Sequence, residues 1–241
     1  MSLIYPAIDL LEGKCVRLLK GNYGQKTVYA DDPTQIAQSF FDAGTTWIHV
    51  VDLEGAKAGK PVQHKLIAKI QSETGAQIQT GGGIRSKAAA LELIEAGIAR
   101  VVIGSMAVKD PKSTLELIRE VGAERVVLAL DVFVSDVPRL ATEGWTKNEG
   151  KELWPLLNDY MERGLEHVLC TDISRDGTLE GPNVSLYADM RRRFPNLNVQ
   201  ASGGVSSLED LKNLKFLSVS GIIVGKALYE KKFSLKEAIT C

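Results

Sequence analysis

Apolar residues in this chain gather in short continuous runs of Val, Ile and Leu, each closed by a turn carrying Gly or Asp and followed by a stretch with helical spacing. Eight such units recur, with strands expected at Leu3 to Ile8, Thr46 to Val51, Ala76 to Gln79, Arg100 to Ile103, Arg125 to Leu130, Glu166 to Cys170, Leu197 to Gln200 and Gly221 to Val224. Runs that do not alternate with polar residues are the mark of parallel strands covered on both faces. Helix starts are expected at Pro33 ahead of Ile36 and Phe40, Ser86 ahead of Ala88 to Ala96, Pro111 ahead of Leu115 and Ile118, and Ser206 ahead of Leu208 and Leu211. Gly44, Gly97 and Gly164 fall where helices should end. No Pro/Gly/Ser-rich linker divides the chain, so the pattern predicts an α/β protein: a single (βα)8 TIM barrel domain over residues 1–241, with a doubly wound open sheet as the alternative.

A repeat underlies the pattern. Ile78-Gln79-Thr80-Gly81-Gly82-Gly83-Ile84 matches Val199-Gln200-Ala201-Ser202-Gly203-Gly204-Val205 at an offset of 121, and the same offset carries Val101 to Ser105 onto Ile222 to Lys226. Ala7-Ile8-Asp9 pairs with Ala129-Leu130-Asp131 at 122, and Gly44 and Val51-Asp52-Leu53 pair with Gly164 and Thr171-Asp172-Ile173 at 120. The first four units therefore read as a copy of the last four, giving half-barrel repeats of about 1–122 and 123–241 and a pseudo-twofold barrel axis.

Charge narrows the ligand class. With 29 Lys plus Arg against 30 Asp plus Glu there is no basic excess for nucleic acid, and Arg191-Arg192-Arg193, with Asp189 beside it, reads as a solvated face. Cys15, Cys170 and Cys241 are odd in number and lack metal-ligand spacing, as in a reducing compartment. There is no signal-peptide pattern and no long apolar run, so a soluble, cytoplasmic protein is expected, without membrane or nucleic-acid partners and monomeric.

In a (βα)8 barrel the site lies at the C-terminal ends of the strands, and phosphate commonly binds the loops after strands seven and eight. Ser202-Gly203-Gly204 and Gly225-Lys226 stand at those loops. Glycine lets backbone N–H groups approach phosphate oxygens, although a Gly-Gly pair also suits an ordinary tight turn. The repeat places Gly82-Gly83 and Gly104-Ser105 equivalently on the other rim, which points to a ligand with a phosphate at each end. Asp9 and Asp131 end strands one and five, across the axis from each other. Each could be a helix cap or an ion-pair partner; as a symmetric pair between phosphate loops they suit general acid and base. Thr171 offers a hydroxyl to orient a carboxylate or substrate oxygen, followed by Asp172 and Arg175-Asp176-Gly177-Thr178 in a polar loop. His49 reads equally as a barrel-core residue or a substrate contact, and Trp145 as a lid residue able to stack on a flat ring; Trp47 and Trp154 read as packing residues. No Walker A motif, dinucleotide fingerprint, metal-spaced histidines or Schiff-base lysine motif occurs, so no cofactor or metal is expected and proton transfer is the implied chemistry: an isomerase, lyase or hydrolase.

Tyr5-Pro6-Ala7-Ile8-Asp9-Leu10, Ile48 to Leu53, Gly81 to Arg85, Ala129-Leu130-Asp131, Gly144-Trp145, Leu169 to Thr178, Ser202 to Gly204 and Val224-Gly225 together resemble the phosphoribosylformimino-aminoimidazole carboxamide ribotide (ProFAR) isomerase family of histidine biosynthesis, over essentially the whole chain. The resemblance implies an Amadori rearrangement of an aminoaldose to an aminoketose on a bis-phosphorylated substrate. It implies Asp131 as the acid that opens the ribose, Asp9 as the base at C2, Thr171 positioning Asp131 or the opening ring, and Asp176 supporting the substrate, with Arg85 and Gly177 among the binding residues. Phe133 stands where that family often has Arg, with Arg139 or Arg85 as replacements for the basic contact. Alternatives are the cyclase subunit of imidazole glycerol phosphate synthase, phosphoribosylanthranilate isomerisation, and an inactive sugar-phosphate sensor.

Overall fold

The computed structural model describes residues 2–19, 21–142 and 147–241, with Leu19 and residues 147–149 described by backbone alone. Its strands are β1 (Leu3–Leu11), β2 (Lys14–Leu19), β3 (Asn22–Ala30), β4 (Trp47–Asp52), β5 (Gln77–Gly81), β6 (Arg100–Ile103), β7 (Val126–Val134), β8 (Pro138–Thr142), β9 (Lys147–Glu152), β10 (His167–Asp172), β11 (Asn198–Ser202) and β12 (Gly221–Val224). Eight of these correspond to the expected strands. They pair in parallel in the order β10-β11-β12-β1-β4-β5-β6-β7, and the β7–β10 register, Thr171 beside Asp131, closes the ring. The result is the (βα)8 barrel, with helices between successive staves.

Two hairpins depart from the expected pattern. β1 does not stop at Ile8: Leu10 and Leu11 are buried, and the strand runs on to turn at Glu12 and Gly13, both at positive φ, and pair antiparallel with β2. Positive φ at both central residues is the turn whose twist suits a two-residue hairpin. β3 extends that hairpin, and β8 and β9 form a second one on the extension of β7. Neither hairpin shows a strand pattern in the sequence, because β3 is largely exposed and β9 reads Lys-Asn-Glu-Gly-Lys-Glu.

Helix starts follow their local chemistry. Asp32 and Asp110 cap the helices Pro33–Asp42 and Pro111–Val121, and Ser86 caps Lys87–Glu95, each side chain accepting from backbone N–H groups of the first turn. Helix Leu208–Phe216 begins one residue later than expected. Ser207, not Ser206, forms a reciprocal capping box with Asp210, and Ser206 only adds two hydrogen bonds to the same carboxylate.

The main core lies between barrel and helices, where Ile8, Ile48, Ile78, Val101, Leu128, Val168, Val199 and Ile222 face outward from the staves. A smaller cluster of Tyr5, Ala7, Val102, Val127, Leu169 and Ile223 fills the barrel itself. At its N-terminal end the Arg100 guanidinium lies 4.2 Å from the Trp47 ring centroid and donates to the Tyr5 hydroxyl. Trp154 packs on Phe194 with Arg193 over its ring, so one member of the basic run has a packing role while Arg192 pairs with Asp189 at the surface. Among the described residues no helix is long and apolar enough to cross a membrane.

Candidate active site

A cavity of about 340 Å³ opens at the C-terminal ends of the staves. Asp9, Asp131, Thr171, Asp176 and His49 line it together with the glycine loops: Gly82, Gly83 and Arg85; Gly104 and Ser105; Ser202, Gly203 and Gly204; Gly225 and Lys226; and Gly177. The whole expected set thus converges, save Trp145, which lies outside the described residues.

The four glycine loops match in pairs. Gly82 and Gly83 have φ of 110° and 75°, Gly203 and Gly204 93° and 84°. Gly104 and Gly225, each preceding a short helix, have φ/ψ of −96°/−101° and −109°/−96°. Close packing demands glycine as much as backbone angle does: a Cβ on Gly83 would lie 2.4 Å from the Gly55 carbonyl oxygen, and one on Gly204 2.3 Å from that of Gly181. The loops that Gly83 and Gly204 pack against are themselves pinned by buried carboxylates. Asp52 accepts from the N–H groups of Gly55, Val62 and Gln63, and Asp172 from Ser174 and the Asn183 side chain. Asp172 is therefore the loop's anchor. Gly82→Ala would place Cβ 2.1 Å from the Asp52 carbonyl oxygen at φ 110°; we expect it to cost about 2 kcal/mol or more, read as a lower urea midpoint with unchanged m-value.

Asp9 lies on β1 beside Val16 of β2, and the hairpin brings Arg17 over it, Nη1 2.8 Å from the carboxylate. Sequence reasoning missed Arg17: a lone arginine in Lys14-Cys15-Val16-Arg17-Leu18 carries no motif, and its role depends on a hairpin that was itself not legible. Its other amino group donates to the Ala7 carbonyl, which also accepts from Tyr229, and its Nε is buried without a hydrogen-bond partner among the described residues. A Cβ on Gly225 would strike the guanidinium at 2.3 Å, so Arg17 passes directly over the glycine loop after β12. Burial raises the Asp9 carboxyl above the usual range, and Arg17 opposes that rise.

Asp176 is pushed up to about 6, chiefly by burial; Arg17 and the Gly177 N–H work against the rise, while Asp9 and Asp131 add to it. Thr171 neighbours Asp131 across the β7–β10 register, and its methyl faces Gly203. Lys226 donates to the Gly177 carbonyl at 2.9 Å, tying the loop after β12 to that after β10. Ser202 is held from behind by Tyr187, whose hydroxyl accepts from the Ser202 N–H and also lies within hydrogen-bond distance of the Cys170 and Ser202 carbonyls. Tyr187 is a second residue the sequence did not flag; it sits one helix away from the loop it supports. His49 is buried with Nδ1 3.0 Å from Gln79 Nε2, and burial with the nearby Arg17 pushes its imidazole down to about 3, so it is neutral.

The family model described as "Histidine biosynthesis protein" matches residues 3–234. The chain belongs to this family. Curated relatives named 1-(5-phosphoribosyl)-5-((5-phosphoribosylamino)methylideneamino)imidazole-4-carboxamide isomerase are similar along its full length. The protein of Alteromonas mediterranea is 48% identical over 241 residues, covering 99% of this chain and 98% of the relative. That of Francisella philomiragia is 49% identical and that of Elusimicrobium minutum 48%, each over 239 residues and 99% of both chains. Phe133 is 49% exposed and pairs with Arg139 across the hairpin, and Arg139 is occupied by Glu152 and the Gly150 carbonyl. Of the two candidate replacements for the basic contact, Arg85 is the one lining the cavity.

Proposed function

We infer that this chain is an isomerase of histidine biosynthesis that carries out the Amadori rearrangement of a bis-phosphorylated aminoaldose to the aminoketose. The observation that carries the reading is a pair of carboxylates, Asp9 and Asp131, in one cavity whose two rims bear matched glycine loops; near-half identity to isomerases over the whole chain supports it. The Gly82-Gly83 and Gly104-Ser105 loops would take one phosphate, and the Ser202 to Gly204 and Gly225-Lys226 loops the other, backbone amides supplying most of the contacts. Net charge of −1 is no obstacle to such a ligand, because those amides carry no formal charge.

Held by its ends, the substrate presents its aminosugar to the centre. Asp131 protonates the ribose ring oxygen as the ring C–O bond breaks, giving a Schiff base. Asp9 then removes the proton at C2, and the resulting enolamine tautomerises to the ketose. Arg17 favours the ionised form of Asp9 for that step, an opposite charge at 2.8 Å working against the rise that burial imposes. Thr171 orients Asp131 or the opening ring. A second reading assigns the acid to Asp176, favoured by its carboxyl being raised to about 6, where it still carries an available proton near neutrality. Every step is a proton transfer, so the chain needs no cofactor. We propose further that one domain built from two half-barrel repeats does this work, as a monomer and in the cytoplasm.

The test is direct. Purified protein given the aminoaldose should form the aminoketose with no addition, and given the ketose with ammonia should not close an imidazole ring. Ring closure would favour the cyclase alternative, and binding without turnover the sensor. Crystals grown in phosphate or sulfate should hold two anions, on opposite rims.

A further inference from the structure

Inside the barrel, reaching the cavity at His49, lies a buried polar chain that the proton transfers above do not use. Gln79 on β5 and Gln200 on β11 occupy staves on opposite sides of the barrel, separated by β12, β1 and β4. Both are buried, at 0% and 1% exposure. Their amides bond to each other in both directions across the interior, Gln79 Nε2 to Gln200 Oε1 at 2.7 Å and Gln200 Nε2 to Gln79 Oε1 at 3.0 Å. The layer around them is apolar, with Ala7, Val102, Leu169 and Ile223, and two leucines or methionines would fill the same space without desolvating amides. A buried amide pair is tolerated when satisfied, but its net contribution over an apolar pair is small. Its distinctive property is that each amide keeps one N–H over.

On the Gln79 side that N–H belongs to Nε2, which lies 3.0 Å from His49 Nδ1. Gln79 turns Oε1 to Gln200 and Nε2 to His49, and an amide nitrogen can only donate, so Nδ1 accepts. The ring's single proton is then on Nε2. Among the described residues Nε2 has no hydrogen-bond partner, yet it is not sealed off as a buried orphan, and His49 lines the cavity on the strand adjoining that of Asp9, in register with Ala7. A charged ring at this depth would add a second cation beside Arg17 and compete for Asp9; a neutral donor does neither.

We propose that His49 is a fixed, uncharged hydrogen-bond donor to an oxygen of the opened sugar, and that the Gln79–Gln200 pair is a positioning latch, reaching across the barrel, that holds its proton on Nε2. The choice of ligand oxygen rests on the isomerase reading; the tautomer does not.

The full-length chain labelled with 15N-histidine, without ligand, tests the latch. Long-range 15N–1H correlation should show His49 with an acceptor-type Nδ1 and a protonated Nε2, assigned against His64 and His167 by loss of the signal in His49→Gln. In Gln79→Glu the near-isosteric carboxylate can only accept, so the ring proton should move to Nδ1. Turnover tests the donor. His49→Leu and Gln79→Glu should each lower kcat about 10²-fold with KM changed less than about threefold, the loss expected for one preorganised donor, and His49→Gln, whose amide nitrogen reaches the Nε2 position, should recover much of it. An Nδ1–H ring in the unsubstituted chain would overturn the latch. A kcat in folded His49→Leu within about twofold of the parent would overturn the donor role. Absence of isomerisation by the unsubstituted chain would instead remove the isomerase reading, with the tautomer already measured.

Discussion

Asp9→Asn is expected to lower kcat by about 10²–10⁴-fold while the protein still binds inorganic phosphate, because the substitution removes the base and leaves the glycine loops in place. The Asn amide keeps the carboxyl's shape but cannot take the C2 proton. It also strips Arg17 of its partner at 2.8 Å, with both side chains about 85% buried, so some loss of melting temperature should accompany the loss of turnover. Asp131→Asn should be equally damaging, by leaving the ring oxygen unprotonated. Steady-state kinetics paired with calorimetric binding reads both results. Loss of turnover with retained binding would eliminate the sensor alternative. Near-native kcat in Asp131→Asn would transfer the acid role to Asp176, and near-native kcat in Asp9→Asn would refute the base assignment outright.

Asp176→Asn should leave a protein with lower activity that is more stable at neutral and alkaline pH. The carboxyl stands near 6 in the folded chain against 3.8 unfolded. Between those values the unfolded chain has ionised and the folded one has not, so the unfolded state holds fewer protons and folding weakens as pH rises. The carboxyl's favourable contribution is complete below pH 3.8 and is lost as pH passes through about 6. At 1.36 kcal/mol per unit the loss is at most about 3 kcal/mol, less whatever solvent at the mouth relieves. Urea denaturation from acid to pH 8 should therefore show the variant gaining on the parent by about 2 kcal/mol, mostly between pH 4 and 7. A pH-independent difference would mean that the site does not hold this carboxyl up. The trade is the familiar one in which a group set for chemistry costs the fold some stability.

Legibility in the sequence followed burial. The eight staves face apolar surroundings on both sides, and their composition announced them. The β2–β3 and β8–β9 hairpins bury Cys15, Val16, Leu18 and Leu140 but leave most of β3 exposed and carry a polar β9, so Lys147 to Glu152 looked like loop, and Arg17, which reaches Asp9 only through its hairpin, went unnoticed. The glycine loops and the acid pair were readable because the repeat doubles them. The same repeat aligned Gln79 with Gln200, but alignment could not reveal that the two residues meet; that is a property of the closed ring. Asp172, which the sequence placed in a polar loop, and its repeat partner Asp52 anchor the loops, a role visible only when their backbone donors are in place.

The stack of Arg100 on Trp47 and Tyr5 has a kinetic consequence. Among the described residues it fills the far end of the barrel, so on the proposed mechanism the linear ketose would depart through the mouth that admits the cyclic aldose. On that reading turnover would be an orderly exchange at one threshold: product lingering on either rim would compete directly with the next substrate, and release from the two proposed phosphate loops would cap how fast the chemistry between them could be used.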